Sequence, residues 1–305
     1  MNELLLMDSY AWIYRSFYAV RALTNSRGVP SNAVFAMMRF LLKLEDEFPA
    51  RSGGFIFDCG KPAHRLALAP DYKANRPPMP EELKVQLPVI RTLIGAFGWP
   101  SFESEGYEAD DLIACIAHAV TDRPVRIVSG DKDLSQLIDD RVTMLVPSPD
   151  GKQLLPRGVR ETKEKFGVPP SLIVDYLALV GDSSDNIPGV PGVGPKTAAA
   201  LLRQFGSIDA MLASPQLIAR ESLREKIASA GELLKKNRLL VSLKDDPPPG
   251  FAPSPDSFSR KAPDWNAVLA VAQDMEFRSM FRELEARRTA ASAADPAGPV
   301  QLELF

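Results

Sequence analysis

Three short apolar runs in the first half of the chain each lead into an acidic residue: LLLM into Asp8, GFIF into Asp58 and VRIVSG into Asp131. Such runs read as buried strands. Strands alternating with helical stretches argue for an α/β fold with a central, mostly parallel twisted sheet flanked by helices. Strand ends in such a sheet open onto a crevice beyond its carboxyl edge, where acids carried on them converge. Six more acids join these three: Glu108, Asp110 and Asp111 in GYEADD, Asp133 in SGDKD, and Asp182 and Asp185 in GDSSD. Two carboxylates ~6 Å apart at an effective dielectric of ~20 repel by roughly 3 kcal/mol, so the group calls for cations. Oxygen-only donors select Mg2+ or Mn2+, and two such ions suit phosphodiester cleavage. One acid after a strand is explained as well by a helix cap, and the acids of GYEADD suit a helix dipole. Capping does not explain five clusters in strand order.

The chain has 305 residues, room for one large domain or two smaller ones. It holds no run of 18 apolar residues and no signal-peptide pattern, so the expectation is a cytoplasmic protein without a membrane span. Cys59 and Cys115 have no CxxC partner and are expected to be buried thiols. The net charge of −3 argues at first against a nucleic-acid partner. If the nine clustered acids hold ions, however, the rest of the surface is net positive, and local patches matter more than the total.

Helices are expected over 32–48, 83–97, 109–120 and 133–139, then over 171–181, 195–205, 223–230 and 231–241 as the strands fade. Residues 61–82, proline-rich and basic without a clean period, read as a mobile segment crossing the sheet edge. The Ala- and Pro-rich stretch after Arg287 reads as disordered. This gives an α/β core over 1–170, a helical unit over 171–285 and a tail over 286–305. The segment IPGVPGVGPKTAAALLRQFGS reads as a helix–hairpin–helix element. Gly189, Gly192 and Gly194 permit a tight turn at positive φ, and Pro195 suits the first position of a helix. The free N–H groups there can hold a DNA phosphate, with Lys196 and Arg203 adding charge, independent of base sequence. In DYKANR, Lys73 and Arg76 are expected to steer phosphate and Tyr72 to stack on an unpaired base. His64 and His118 lack partners and read as structural. The chain ends in QLELF, an apolar end that invites a partner.

Together LLLMD, LTNSRGVPSNA, FIFD, YKANRPPMP, GYEADD, SGDKDLSQL, GDSSDNIPGVPGVGPKTA and LLKKN resemble the 5′-nuclease (flap endonuclease) family over residues 3–283. The likeness is strongest to the 5′→3′ exonuclease domain at the N-terminus of bacterial DNA polymerase I. It implies a PIN-like sheet core, a helical arch over about 61–95 and a helix-three-turn-helix element. By the same likeness, Asp8, Asp58, Glu108 and Asp110 hold one ion. Asp131, Asp133 and Asp185 hold the second, with Asp111 and Asp182 close by. Lys73 and Arg76 match arch residues at the scissile phosphate, and the 187–194 hairpin also suits K+. Ser9 stands where the family usually has Gly. No polymerase domain follows, which implies a free-standing nuclease, a monomer working with a separate DNA polymerase on 5′ flaps, nicks and RNA primer ends. QLELF resembles a peptide that docks on the DNA sliding clamp, through Gln301, Leu302, Leu304 and Phe305. The rivals are a PIN-like ribonuclease and a clamp-tethered DNA-binding scaffold whose active site has decayed.

Overall fold

The computed structural model describes residues 3–294 apart from Pro49, Lys152 and Asp245. Its main sheet has six strands: β1 (Leu4–Asp8), β2 (Ser52–Ile56), β3 (Ser101–Phe102), β4 (Val125–Val128), β5 (Val142–Pro147) and β6 (Leu154–Arg157). Their order is β3-β2-β1-β4-β5-β6, parallel throughout except for the antiparallel pair β5–β6. The chain builds outward from β1 to one edge, then returns to lay β4 on its other side. The order therefore reverses between β1 and β4, where an open α/β sheet leaves a ligand crevice.

Alternate residues of the strands face two separate cores, as the two-residue period of a strand demands. Leu5, Met7, Phe55 and Phe57 pack with α1 (Ser9–Ala19), α2 (Asn32–Glu47) and helices from the C-terminal end. Leu4, Leu6, Ile56 and Ile127 face the opposite side, with Leu112, Ile113 and Ile116 on the helix Ala109–Ala119. A third core belongs to the helical unit and joins Ile173–Val180, Pro195–Phe205 and Gly231–Val241.

Several expectations change. The segment 61–82 is folded rather than free: Ala63–Leu68 is a short helix, and residues 70–76 run as tight turns. The single helix expected over 83–97 is two, Glu81–Lys84 and Leu87–Ala96. Pro88 explains the break, because it has no N–H for the carbonyl four residues back and its ring crowds that turn. The helix expected at 133–139 is a 3-10 turn, Asp133–Leu137. Val159–Phe166, Ile208–Ala213 and Trp265–Asp274 are further helices with no counterpart in the expectation. The disordered reading fails for 286–294, since Phe281–Ala294 is a helix whose Arg287 pairs with Asp46 at 2.7 Å. The proposed clamp peptide, Gln301, Leu302, Leu304 and Phe305, lies outside the described residues. Cys115 is buried as expected, whereas Cys59 is only partly so and sits beside Glu105. No helix among the described residues is long and apolar enough to cross a membrane.

Candidate metal centre

Asp8 ends β1 and does two jobs. Its Oδ1 caps α1 by accepting from the Ala11 N–H at 3.3 Å, and its Oδ2 accepts from the Ser129 hydroxyl at 2.7 Å. Ser129 follows β4 and in turn accepts from the Asp131 N–H at 3.0 Å, so one hydroxyl ties the two strand ends at the switch point. Asp58, just beyond β2, accepts from the Ala109 N–H at 3.1 Å and fixes the start of the acidic helix Ala109–Ala119. Asp8, Asp58, Asp110 and Asp131 line one cavity of about 400 Å³, together with Tyr10, Tyr14, Met79, Lys73 and Arg76.

Flanking the cavity are two tight carboxylate groups. Glu108, Asp110 and Asp111 each offer an oxygen within 4.8 Å of the others, and so do Asp133, Asp182 and Asp185. Their electrostatics show how costly this is. Burial, then the charges of Asp58 and Asp131, push Asp8 up to about 7. Burial also raises Asp58, Asp110 and Asp133, and Asp131, Asp182 and Asp185 add to the last. Burial opposes the charge on Asp182 as well, but the Ser184 hydroxyl and Lys132, 3.0 Å away, outweigh it and hold this carboxyl below its usual range. Oδ1 of Asp133 is buried without a hydrogen-bond partner among the described residues. A buried carboxylate oxygen left unpaired amid like charges is costly. Oxygen donors in this arrangement fit a hard divalent cation, and both groups are able to hold one.

Basic side chains meet the acids from the segment the sequence leaves irregular. Lys73 Nζ contacts Glu108 and stands 3.6 Å from Asp185, and Arg76 pairs with Asp185. The turn that carries them is latched to the acidic loop by its backbone and amides. The Lys73 N–H donates to the Asp185 carbonyl at 3.0 Å, Asn75 to Ser183 at 2.6 Å, and Asn186 to the Asp71 carbonyl at 2.8 Å. Lys73 takes a φ of 56° to do so, the left-handed region that a non-glycine residue enters only when its surroundings hold it there.

The sequence also matches known proteins. A 5′-3′ exonuclease N-terminal resolvase-like domain matches residues 3–167, and a 5′-3′ exonuclease C-terminal SAM fold matches residues 168–266. The chain belongs to the 5′-3′ exonuclease family. A 5′-3′ exonuclease of Aquifex aeolicus is 37% identical, covering 93% of this chain and 96% of that protein. DNA polymerase I of Pseudomonas aeruginosa is 38% identical over 99% of this chain, which spans only 33% of the polymerase's length. In fold, the chain is similar to the D15 flap endonuclease of bacteriophage T5, solved with DNA and metal ions. That match has a TM-score of 0.63 at 24% identity and covers 93% of this chain and 99% of the other. The catalytic core of Rad2 with a DNA substrate gives 0.60 at 16% identity, covering 90% and 88%.

In this exonuclease-family chain, then, all nine expected acids lie at one end of the sheet or on the loop packed against it. Four positions behave differently from the expectation. Tyr72 is only 6% exposed, and its hydroxyl lies 2.9 Å from Asp185 and 3.2 Å from Glu108, so its ring is not available to a base here. Both oxygens of Asp111 are held by Arg65, at 2.6 and 2.8 Å. Of the three hairpin glycines, only Gly192 uses positive φ. Gly189 is required for space instead, since a Cβ there would stand 2.1 Å from the Val180 carbonyl, and Gly194 is an extended residue with room around it. Lys196 and Arg203 are exposed on the helix that Pro195 opens. His64 sits 3.7 Å from Asp111, and burial, then Arg65, lowers its pKa. His118 is exposed in the last turn of the helix Ala109–Ala119, at the end opposite Asp110 and Asp111. Sequence reasoning did not single out Arg65, Lys132 or Ser129. Arg65 is set among Ala and Leu in AHRLAL, an apolar context that already hints at burial.

Proposed function

We propose that this protein is a structure-specific 5′→3′ exonuclease and 5′-flap endonuclease that hydrolyses DNA phosphodiesters with two Mg2+ (or Mn2+) ions, acting also on RNA primer ends. The observation that carries this reading is the convergence of Asp8, Asp58, Asp110 and Asp131 on one cavity with Lys73 and Arg76 at its edge. Acids and bases thus share a site large enough for a phosphodiester. The reading divides the ligands as the family resemblance does: Asp8, Asp58, Glu108 and Asp110 toward one ion, Asp131, Asp133 and Asp185 toward the other, with Asp182 beside them. Asp111, taken up by Arg65, orients its neighbours. Ions bound there supply an activated water and a counter-charge for the leaving oxygen. Lys73 and Arg76 exchange their carboxylate partners for the phosphate and offset the charge that builds on it. Duplex is held at the 187–207 element by backbone N–H groups, Lys196 and Arg203. In the same reading, residues 61–95 act as the arch that selects a free 5′ end, and K+ sits at the 187–194 hairpin. The protein is a cytoplasmic, nucleoid-associated monomer that works with a separate polymerase and docks on the sliding clamp through Gln301, Leu302, Leu304 and Phe305.

The test is cleavage of a 5′-labelled flap duplex in Mg2+, beside an EDTA lane and a single-strand control. Metal-dependent product cut near the junction supports the reading. Binding without cleavage in either Mg2+ or Mn2+ overturns it in favour of a scaffold.

A further inference from the structure

The two oxygens of Glu108 have different surroundings. Oε2 accepts from Arg65 Nη1 at 2.6 Å and lies 3.2 Å from the Tyr72 hydroxyl, whose single proton is shared with Asp185 at 2.9 Å. Oε1 faces Lys73 Nζ. The cations that hold these oxygens differ as sharply. The Lys73 side chain is 20% exposed and can withdraw into water, whereas that of Arg65 is 2% exposed. Arg65 also has nowhere to go. Its fork grips both oxygens of Asp111, its Nε donates to the Leu240 carbonyl at 3.0 Å, and its Nη2 reaches toward the Ser242 carbonyl at 3.5 Å. Leu240 lies in the last turn of the helix Gly231–Val241, whose final carbonyls lack partners within the helix. The same helix carries Asn237, which donates to the Ala178 and Pro188 carbonyls and so holds the glycine hairpin.

We propose that Arg65 is a positioning residue that pins Oε2 of Glu108, so that Glu108 offers a divalent ion its Oε1 alone. The inference rests on the two-ion reading above and goes beyond it. A carboxylate free to rotate could grip an ion with both oxygens or turn away, whereas one pinned through its second oxygen presents a single donor in a fixed direction. Hydrogen bonds to a ligand from outside the coordination sphere orient it, and their loss typically costs about 10–100-fold in metal affinity. Because the pin is anchored at Leu240, the helical unit takes part in setting the ion site. A lysine cannot substitute for Arg65, since an ammonium has the charge but not the planar fork.

The experiment is a titration of DNA-free protein with Mn2+, following free Mn2+ by electron paramagnetic resonance, on the wild type, Arg65→Lys, Arg65→Gln, Glu108→Gln and Glu108→Ala. One of two sites is expected to weaken about tenfold or more in both Arg65 variants, with the other unchanged. The half-saturating Mg2+ for cleavage rises in parallel while KM for DNA holds. Glu108→Gln keeps Asp111 for Arg65 and so retains its fold. Its carbonyl oxygen must accept from Arg65, which turns the amide NH2 toward the ion, so Gln is expected to bind as poorly as Ala. Wild-type affinity in Arg65→Lys overturns the proposal, and so does a Gln variant that binds clearly better than the Ala variant. The Glu108 pair keeps the test open even where the Arg65 variants do not fold. A wild type that binds no Mn2+ overturns the ion reading itself and this inference with it.

Discussion

Replacing Asp133 by Asn should stabilise the protein without ions and weaken its response to them. Oxygens of Asp133, Asp182 and Asp185 lie within 4.8 Å of one another. At an effective dielectric of ~20, each pair at that distance repels by about 3.5 kcal/mol, and Asp133 takes part in two pairs. Lys132 beside Asp182 and Arg76 beside Asp185 offset part of this. So does a proton on Asp133, which burial and its acidic neighbours make easier to hold. The relief that remains is about 1–3 kcal/mol. At about 2–4 °C per kcal/mol for domains of 150–250 residues, the variant should melt several degrees higher in EDTA. With ions the order should close or reverse. A ligand at a hundred times its Kd adds about 2.7 kcal/mol per site, and the variant lacks one donor of that site. Thermal melting by circular dichroism at pH 8, in EDTA and in saturating Mg2+, reads both effects. A variant that melts below the wild type in EDTA, or gains as much from Mg2+, would refute the argument that these acids are assembled against their own repulsion to hold an ion.

Asp131→Ala should bind flap DNA with wild-type affinity in a gel-shift assay yet lose cleavage by at least about a hundredfold, on the scale of removing one charged catalytic group; normal cleavage would remove Asp131 from the ligand set. Gly189→Ala, with its Cβ 2.1 Å from the Val180 carbonyl, should cost at least about 1–3 kcal/mol in urea unfolding and weaken duplex binding, while Gly194→Ala should be near neutral in both. Asp8, Asp58, Asp110 and Asp133 all hold protons more tightly when folded than when unfolded. The ion-free protein should therefore lose stability as pH rises from the ordinary carboxylate range toward about 7, the value for Asp8, a slope that saturating Mg2+ should flatten. A flat profile in EDTA would show that these acids are not crowded in solution.

How much of this was legible beforehand depends on the range of the interaction. The strands that carry Asp8, Asp58 and Asp131 announce themselves, because burial on both faces forces continuous apolar runs, and the acids follow within a few residues. Pro195 and the glycines likewise mark the start of their helix through local backbone constraints. What escaped depends on partners distant in sequence. The short β3 and the antiparallel β6 exist because a neighbouring strand pairs with them, Ser101 with Phe55 and Leu154 with Pro147. Composition alone made 61–82 look loose, yet it folds because Arg65 finds Asp111 and Glu108 more than 40 residues away.

By itself the sequence determined the strand runs, the acidic inventory, the hairpin and the family, each fixed by residue type within a short window. Only the tertiary structure decided which acids stand within a few ångströms of one another, which oxygen of Glu108 Arg65 holds, and that Tyr72 turns inward. Those outcomes depend on charges brought together across the chain in a buried place, where a few ångströms decide whether a carboxylate meets a guanidinium, a proton or an ion.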